Sequence, residues 1–111
     1  MKTVKGYRDE PINAYQSADI TDEVREVLNK AGDLWHDEWM RLGSRDHGTC
    51  CLDKGIQVPY IGKGQRDYAM TTIVPCDFVQ GNLAAQESVP AVLAYLEQHG
   101  IKGVYNDGRM D

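Results

Sequence analysis

The sequence has no run of eighteen apolar residues, so no segment reads as a membrane span. Its opening stretch, MKTVKGYRDE, has no apolar h-region, which sets the expectation of no secretory signal and a cytoplasmic location. Cysteine is scarce. The three thiols, Cys50, Cys51 and Cys76, are odd in number and lack paired spacing, which excludes a disulfide framework and fits a reducing compartment. Clustered positive charge is also missing. Twelve Lys and Arg are scattered among seventeen Asp and Glu, for a net charge of −5. Such a field disfavours nucleic acid and anionic membrane surfaces as partners. Internal repeats, low-complexity tracts, a Ser-centred nucleophile elbow and an HExxH helix are all lacking.

What is present reads as one domain over 1–111, with an irregular N-terminal segment (1–19) and a polar tail (106–111). Met1–Tyr7 alternates weakly, as a short edge strand or a frayed end would, and Arg8–Asp19 shows no periodicity and reads as a loop. The clearest signal follows. Ile20, Val24, Val27, Leu28, Ala31, Leu34, Trp35, Trp39 and Leu42 fall at helical spacing and predict one amphipathic helix. Thr21 suits its N-cap, Asp22 and Glu23 its first turn, and Gly43 its C-terminal stop. Gly32 lies inside it at a cost of about 1 kcal/mol relative to Ala, which implies either close packing or a bend there. About twenty residues make a helix roughly 30 Å long. That exceeds what a small sheet needs, so part of it is expected to lie against another subunit.

His47–Val74 organises the rest. Thr49–Leu52 and Ile56–Ile61 read as strands joined at Asp53-Lys54-Gly55, with Pro59 placing the second at an edge or a break. Gly62-Lys63-Gly64-Gln65 is a turn, and Asp67–Val74 is a β-branched strand stopped by Pro75. Cys76–Glu87 reads as a loop, within which LAAQE (residues 83–87) has room for one helical turn, and a second helix spans Ser88–His99 with Ser88 as N-cap and Gly100 as stop. Ile101–Tyr105 is a last short strand. The expected fold is α+β: a two-layer sandwich with a mixed, mainly antiparallel sheet of three to five strands, packed by a long N-terminal helix and a shorter C-terminal one.

Four groups of residues bear on chemistry. His36, His47, Cys50, Cys51, Cys76 and His99 are metal-capable, but only His47-x-x-Cys50 has close spacing and it occurs once. Adjacent Cys50 and Cys51 on a strand would face apart. No metal site and no cofactor is expected. A thiol nucleophile would need an imidazole neighbour, with Cys76 or Cys50 set against His47 or His36. Gly62-x-Gly64 lacks the spacing of a phosphate loop and leads into no helix. In the helix, Trp35, Trp39 and Leu42 share one face with Glu38 at its border, while Asp33, His36, Asp37 and Met40 share the other. A carboxylate at the edge of an aromatic stripe either pairs with an Arg or lines a polar spot in an apolar pocket.

No motif ties the chain to a named reaction; in outline it resembles the small α+β proteins of bacteria. The expected function is a homo-oligomeric, most simply dimeric, binding or accessory protein. It would hold a small molecule in an apolar pocket where the first helix crosses the sheet, lined by Trp35, Glu38, Trp39 and Tyr60. A small Cys/His or acid/base enzyme is one alternative. The other is a protein-interaction module without a ligand, which would show an exposed apolar patch.

Overall fold

Local chemistry at both ends sets the longest element. In the computed structural model, which describes residues 1–6, 8–44, 54–78 and 81–106, the amphipathic stripe forms one uninterrupted helix, α1 (Asp22–Arg41). The Thr21 hydroxyl accepts from the Val24 N–H at 3.3 Å, giving the first turn a partner for a donor that the helix cannot pair. At the other end Gly43 takes φ 106°, and the Gly43 and Ser44 N–H groups donate to the carbonyls of Met40 and Trp39, both at 3.1 Å. This is a Schellman ending. Ala31 and Trp35 are fully buried on the inner face of α1, and Val24, Val27, Leu28 and Trp39 pack half-buried against the same core. Gly32 has neither of its expected explanations: a methyl group there would meet no described atom within 4 Å, and the helix runs through it unbroken.

Three strands carry the helices. β3 (Gly55–Tyr60) is central, with β4 (Ala69–Pro75) on one side and β5 (Val104–Asn106) on the other, both antiparallel to it. Ile56 pairs with Val74 across one ladder and with Tyr105 across the other. β4 and β5 therefore run parallel to one another, linked by α2 (Asn82–Glu87) and α3 (Val89–Gln98). Alternation then sorts the sheet into two faces. Ile56, Val58 and Val74 point inward and are buried with Trp35 and with Val89, Val92 and Leu96 of α3. Each such aliphatic side chain contributes roughly 1.5–3 kcal/mol by leaving water. The result is a two-layer α+β arrangement, helices on sheet.

Several expectations are corrected in detail. Pro59 lies in the central strand, not at an edge. Its carbonyl accepts from the Tyr15 N–H (2.9 Å), on the side away from β4 and beyond the end of β5. Its missing N–H would point the same way, into a gap where no ladder needs a donor. The segment read as a loop over Arg8–Asp19 contains β2 (Pro11–Ala14), which pairs antiparallel with β1 (Lys2–Lys5), and a 3₁₀ turn over Ser17–Asp19. The Gly6 N–H donates to the Glu10 carbonyl (2.8 Å) and the Asp9 N–H to that of Gly6 (3.1 Å), with Asp9 at φ 60°. Aspartate here does what glycine usually does in such a hairpin. Among the described residues every pairing between strands is antiparallel. The only parallel contact among the described residues is the single bridge Tyr15 to Tyr60, which ties this hairpin to the end of β3.

Ser88 occupies the expected N-cap position of α3, but its side chain makes no capping bond there. It has helical angles, φ −92° and ψ −5°, and its buried hydroxyl donates back to the Ala85 carbonyl at 2.8 Å, so α2 passes into α3 with only this residue between them. The strand starts also move, to Ala69 in β4 and to Val104 in β5. The turn at Gly62–Gln65 and the stop at Gly100 are as expected. Gly64 takes φ 81° under a Gln65-to-Gly62 bond of 3.0 Å, and Ile101 and Gly100 donate to Leu96 and Glu97, both at 2.9 Å. The strand expected over Thr49–Leu52 lies outside the described residues, as does the tail beyond Asn106. No helix among the described residues is long and apolar enough to cross a membrane.

Candidate functional site

The residues expected to line a pocket divide into three environments. Trp35 is core. It has no exposed surface, its indole N–H donates to the Ala85 carbonyl at 3.1 Å, and its ring meets those of Phe78 and Tyr105 edge-on at 6.0 Å each. Trp39, one turn on, is half-buried and lies 5.2 Å from Phe78. Phe78, two residues past Cys76, is thus shared by both tryptophans. It also takes the ring of His36 edge-on at 5.1 Å. His36, which the helical wheel places on the solvent face, packs between Phe78 and Trp39. The aromatic pairing supplies roughly 0.5–1.5 kcal/mol per contact beyond the area buried. Phe78 gave no sequence signal, because a single aromatic after a strand has no period to belong to.

Glu38 takes the first of its two expected roles. Both carboxylate oxygens accept from the Arg41 guanidinium, with Nε at 3.0 Å. That hydrogen bonding holds the Glu38 carboxyl below the usual carboxylate range and the Arg41 group above its own. The pair lies along the helix surface and is already satisfied. Tyr60 is elsewhere again. It lies four residues, about 13 Å, along β3 from the Ile56 level where Trp35 meets Tyr105, at the bridge to Tyr15. The structure therefore brings Trp35 and Trp39 together around Phe78, leaves Glu38 on Arg41, and sets Tyr60 apart.

The thiol and metal candidates are similarly placed. Cys76 is 5% exposed and belongs to the core cluster beside Val74. His99 meets the ring of Tyr95, one turn back on α3, edge-on at 4.8 Å. His47, Cys50 and Cys51 lie outside the described residues. Among the described residues no three His, Cys, Asp or Glu side chains gather as metal ligands would.

The other face of the sheet offers a different kind of surface. The residues between the inward ones, Gln57, Pro59, Met70, Thr72 and Val104, look away from the helices, and Met70 and Val104 are 42% and 56% exposed. The β1–β2 hairpin stands beside this face, held by the Tyr15–Tyr60 bridge. Between hairpin and sheet lies a cleft of about 480 Å³. Its apolar walls come from Met1, Pro11, Ile12, Pro59, Met70 and Val104, and its polar ones from Asn13, Tyr15 and Lys102. The volume falls within the range of small-molecule sites. Although acids outnumber bases in the chain, the described residues that line the cleft include Lys102 and no Asp or Glu.

At its floor, partial burial pushes the Tyr15 phenol above its ordinary pKa, with the charge of Asp19 adding to the shift. Asp19 itself is held low by a hydrogen bond from the N-terminal ammonium (2.8 Å) and one from the Gln16 N–H (2.8 Å). Sequence reasoning passed over this cleft because its walls come from five separate segments of the chain. The available signal was the alternation of Ile56-Gln57-Val58-Pro59, which places Gln57 and Pro59 opposite the core. No protein-family model matches this chain, and neither do the curated proteins or the solved structures with which it was compared.

Proposed function

We propose that this chain is a small-molecule-binding protein, and that it takes an amphiphile with an apolar body and one anionic group in the cleft between the β1–β2 hairpin and the outer face of the sheet. One observation carries the reading: a largely apolar cleft of ligand size whose described lining, in an acidic chain, includes Lys102 and no Asp or Glu. The Trp35–Trp39 surface supports it less well, because Trp35 offers no exposed atoms and Glu38 is held by Arg41. An apolar body between Met70, Ile12 and Val104 gains by leaving water, and the Lys102 ammonium compensates a carboxylate or sulfonate at the rim. A cytoplasmic setting belongs to the same reading, supported by the odd, unpaired spacing of the three cysteines.

Decanoate and decanol serve as probes, titrated against the protein while methyl resonances of Met70 and Val104 are followed by NMR. Both probes are expected to shift those methyls, and decanoate to bind the tighter. Lys102→Gln should weaken decanoate about tenfold, the value of one charge-assisted contact, and leave decanol unchanged. Val104→Asp, at an exposed position, should abolish both while the fold persists. Methyls that move with neither probe, or a Val104→Asp variant that binds as before, would overturn the reading.

A further inference from the structure

The polar side chains that line the cleft, Asn13, Tyr15 and Lys102, share one property: each offers a donor that no described residue takes up. Along β2 and one residue past it, Pro11, Asn13 and Tyr15 alternate, so they leave the chain on one face, and all three line the cleft. Tyr15 is pinned by its backbone. Its N–H donates to the Pro59 carbonyl and its carbonyl accepts from the Ile61 N–H, both at 2.9 Å. Asn13 is held by its side chain. Its Oδ1 accepts from the hydroxyl of Thr3, its cross-strand partner, at 2.9 Å, which leaves the Nδ2 hydrogens as the part of the amide without a described partner. No hydrogen bond or ion pair joins the Lys102 ammonium or the Tyr15 hydroxyl to a described residue.

The register brings two of these groups to one end of the cleft. Val104 pairs with Gln57, so Lys102, two residues earlier, comes toward the level of Pro59, the residue to which Tyr15 is bonded. Asp19, the carboxylate whose charge acts on the phenol, is already taken by the N-terminal ammonium and the Gln16 N–H, both at 2.8 Å, and it does not line the cleft. Tyr15 is half-buried, and a donor withdrawn from water is costly until an acceptor meets it.

We propose that the Tyr15 hydroxyl and the Asn13 amide donate, together with Lys102, to the anionic group of the ligand, and so determine specificity by hydrogen bonding as well as by charge. Three donors exceed the two lone pairs of a single oxygen, so the group they fit is an oxyanion with two or more oxygens, a carboxylate or sulfonate, and not a hydroxyl. This rests on the cleft being the binding site and adds two specificity-determining residues to it.

Decanoate and decanol titrations of the whole chain, read on the Met70 and Val104 methyls and on tyrosine labelled at ¹³Cζ, test it. The Tyr15 signal is identified by its loss in Tyr15→Phe, a change that keeps the ring. Decanoate is expected to shift that signal. Tyr15→Phe should weaken decanoate about tenfold, as loss of a bond to a charged group does, and decanol less than about threefold, because a neutral acceptor is held less strongly. Asn13→Asp can still accept from Thr3, and at an exposed position it should weaken decanoate about tenfold while leaving decanol within about twofold. Methyls that move with neither probe would remove the binding site and this inference with it. Decanoate that moves the methyls but not the Tyr15 signal, or that binds either variant as tightly as the wild type, would overturn this inference alone. So would an equal loss for both probes, the mark of a damaged wall.

Discussion

The two faces of the three-stranded sheet come from the same few residues taken alternately, and they have opposite fates. Inward, Ile56, Val58 and Val74 are at most 1% exposed beneath α1 and α3. Outward, Met70 and Val104 keep about half of their surface in water, beside a hairpin that stands next to the sheet without closing over it. The inner face removes more apolar area from water per residue and must carry most of the stability. The outer face spends little on folding, so its apolar residues are free to serve an occupant. This difference leaves the cleft on the side of the sheet opposite to Trp35.

The comparison breaks most sharply at Trp35. Trp35→Ala should cost about 3–5 kcal/mol, since it empties a fully buried site and leaves the Ala85 carbonyl without the indole donor. Urea unfolding would show it. A loss near zero would mean that the inner face is not the core. A finer cut runs between neighbours in the chain. At Gly103 a methyl group would come within 2.4 Å of the Ile56 Cγ2, so Gly103→Ala should destabilise by roughly 1–3 kcal/mol. At Val104, one residue on and 56% exposed, Val104→Ala should stay within about 0.5 kcal/mol. Equal costs at 103 and 104 would erase the distinction between the faces.

What could be read from the sequence follows the range of the interactions involved. α1 was legible end to end because its stripe, its Thr21 cap and its Gly43 stop act within a few residues of one another. Glu38 was half legible: pairing with an Arg was one of two options, and Arg41 lies three residues away. The β1–β2 hairpin was not, because its strands are four residues long and Asp9 occupies the position where glycine would have announced a turn. Pro59 misled, because the rule that excludes proline from central strands assumes a neighbour on both sides along the whole strand. β5 covers only Gly55–Gln57. The cleft required knowing which distant segments meet, and the order β4-β3-β5 is a long-range fact.

A smaller effect tests the outer side of the helix layer. Nothing described lies within 4 Å of a methyl group added at Gly32. Gly32→Ala should therefore raise stability by about 0.5–1 kcal/mol, the intrinsic gain of alanine over glycine inside a helix. Destabilisation would mean that this surface of α1 is occupied when the protein is in solution, as the expectation of a subunit packed along the long helix would require. Repeating the measurement at several protein concentrations separates the two cases.

The smallest expected effect concerns Tyr15, which belongs to both regions: its backbone bridges to Tyr60 at the end of β3, and its side chain lines the cleft. Burial, and after it the charge of Asp19, favours the neutral phenol in the folded chain. The unfolded chain releases this proton near the ordinary value of 10.0, while the folded chain holds it to a higher pH. Above that ordinary value the folded state binds more protons than the unfolded one, so stability falls as pH rises until the folded phenol ionises too. Tyr15→Phe should flatten that part of the curve. Asp19→Asn should flatten it only in part, because burial, the larger cause, remains. If unfolding free energies of the wild type and Tyr15→Phe stay parallel through this range, the phenol is solvated in the folded protein. The hairpin would then stand farther from the sheet than the cleft requires.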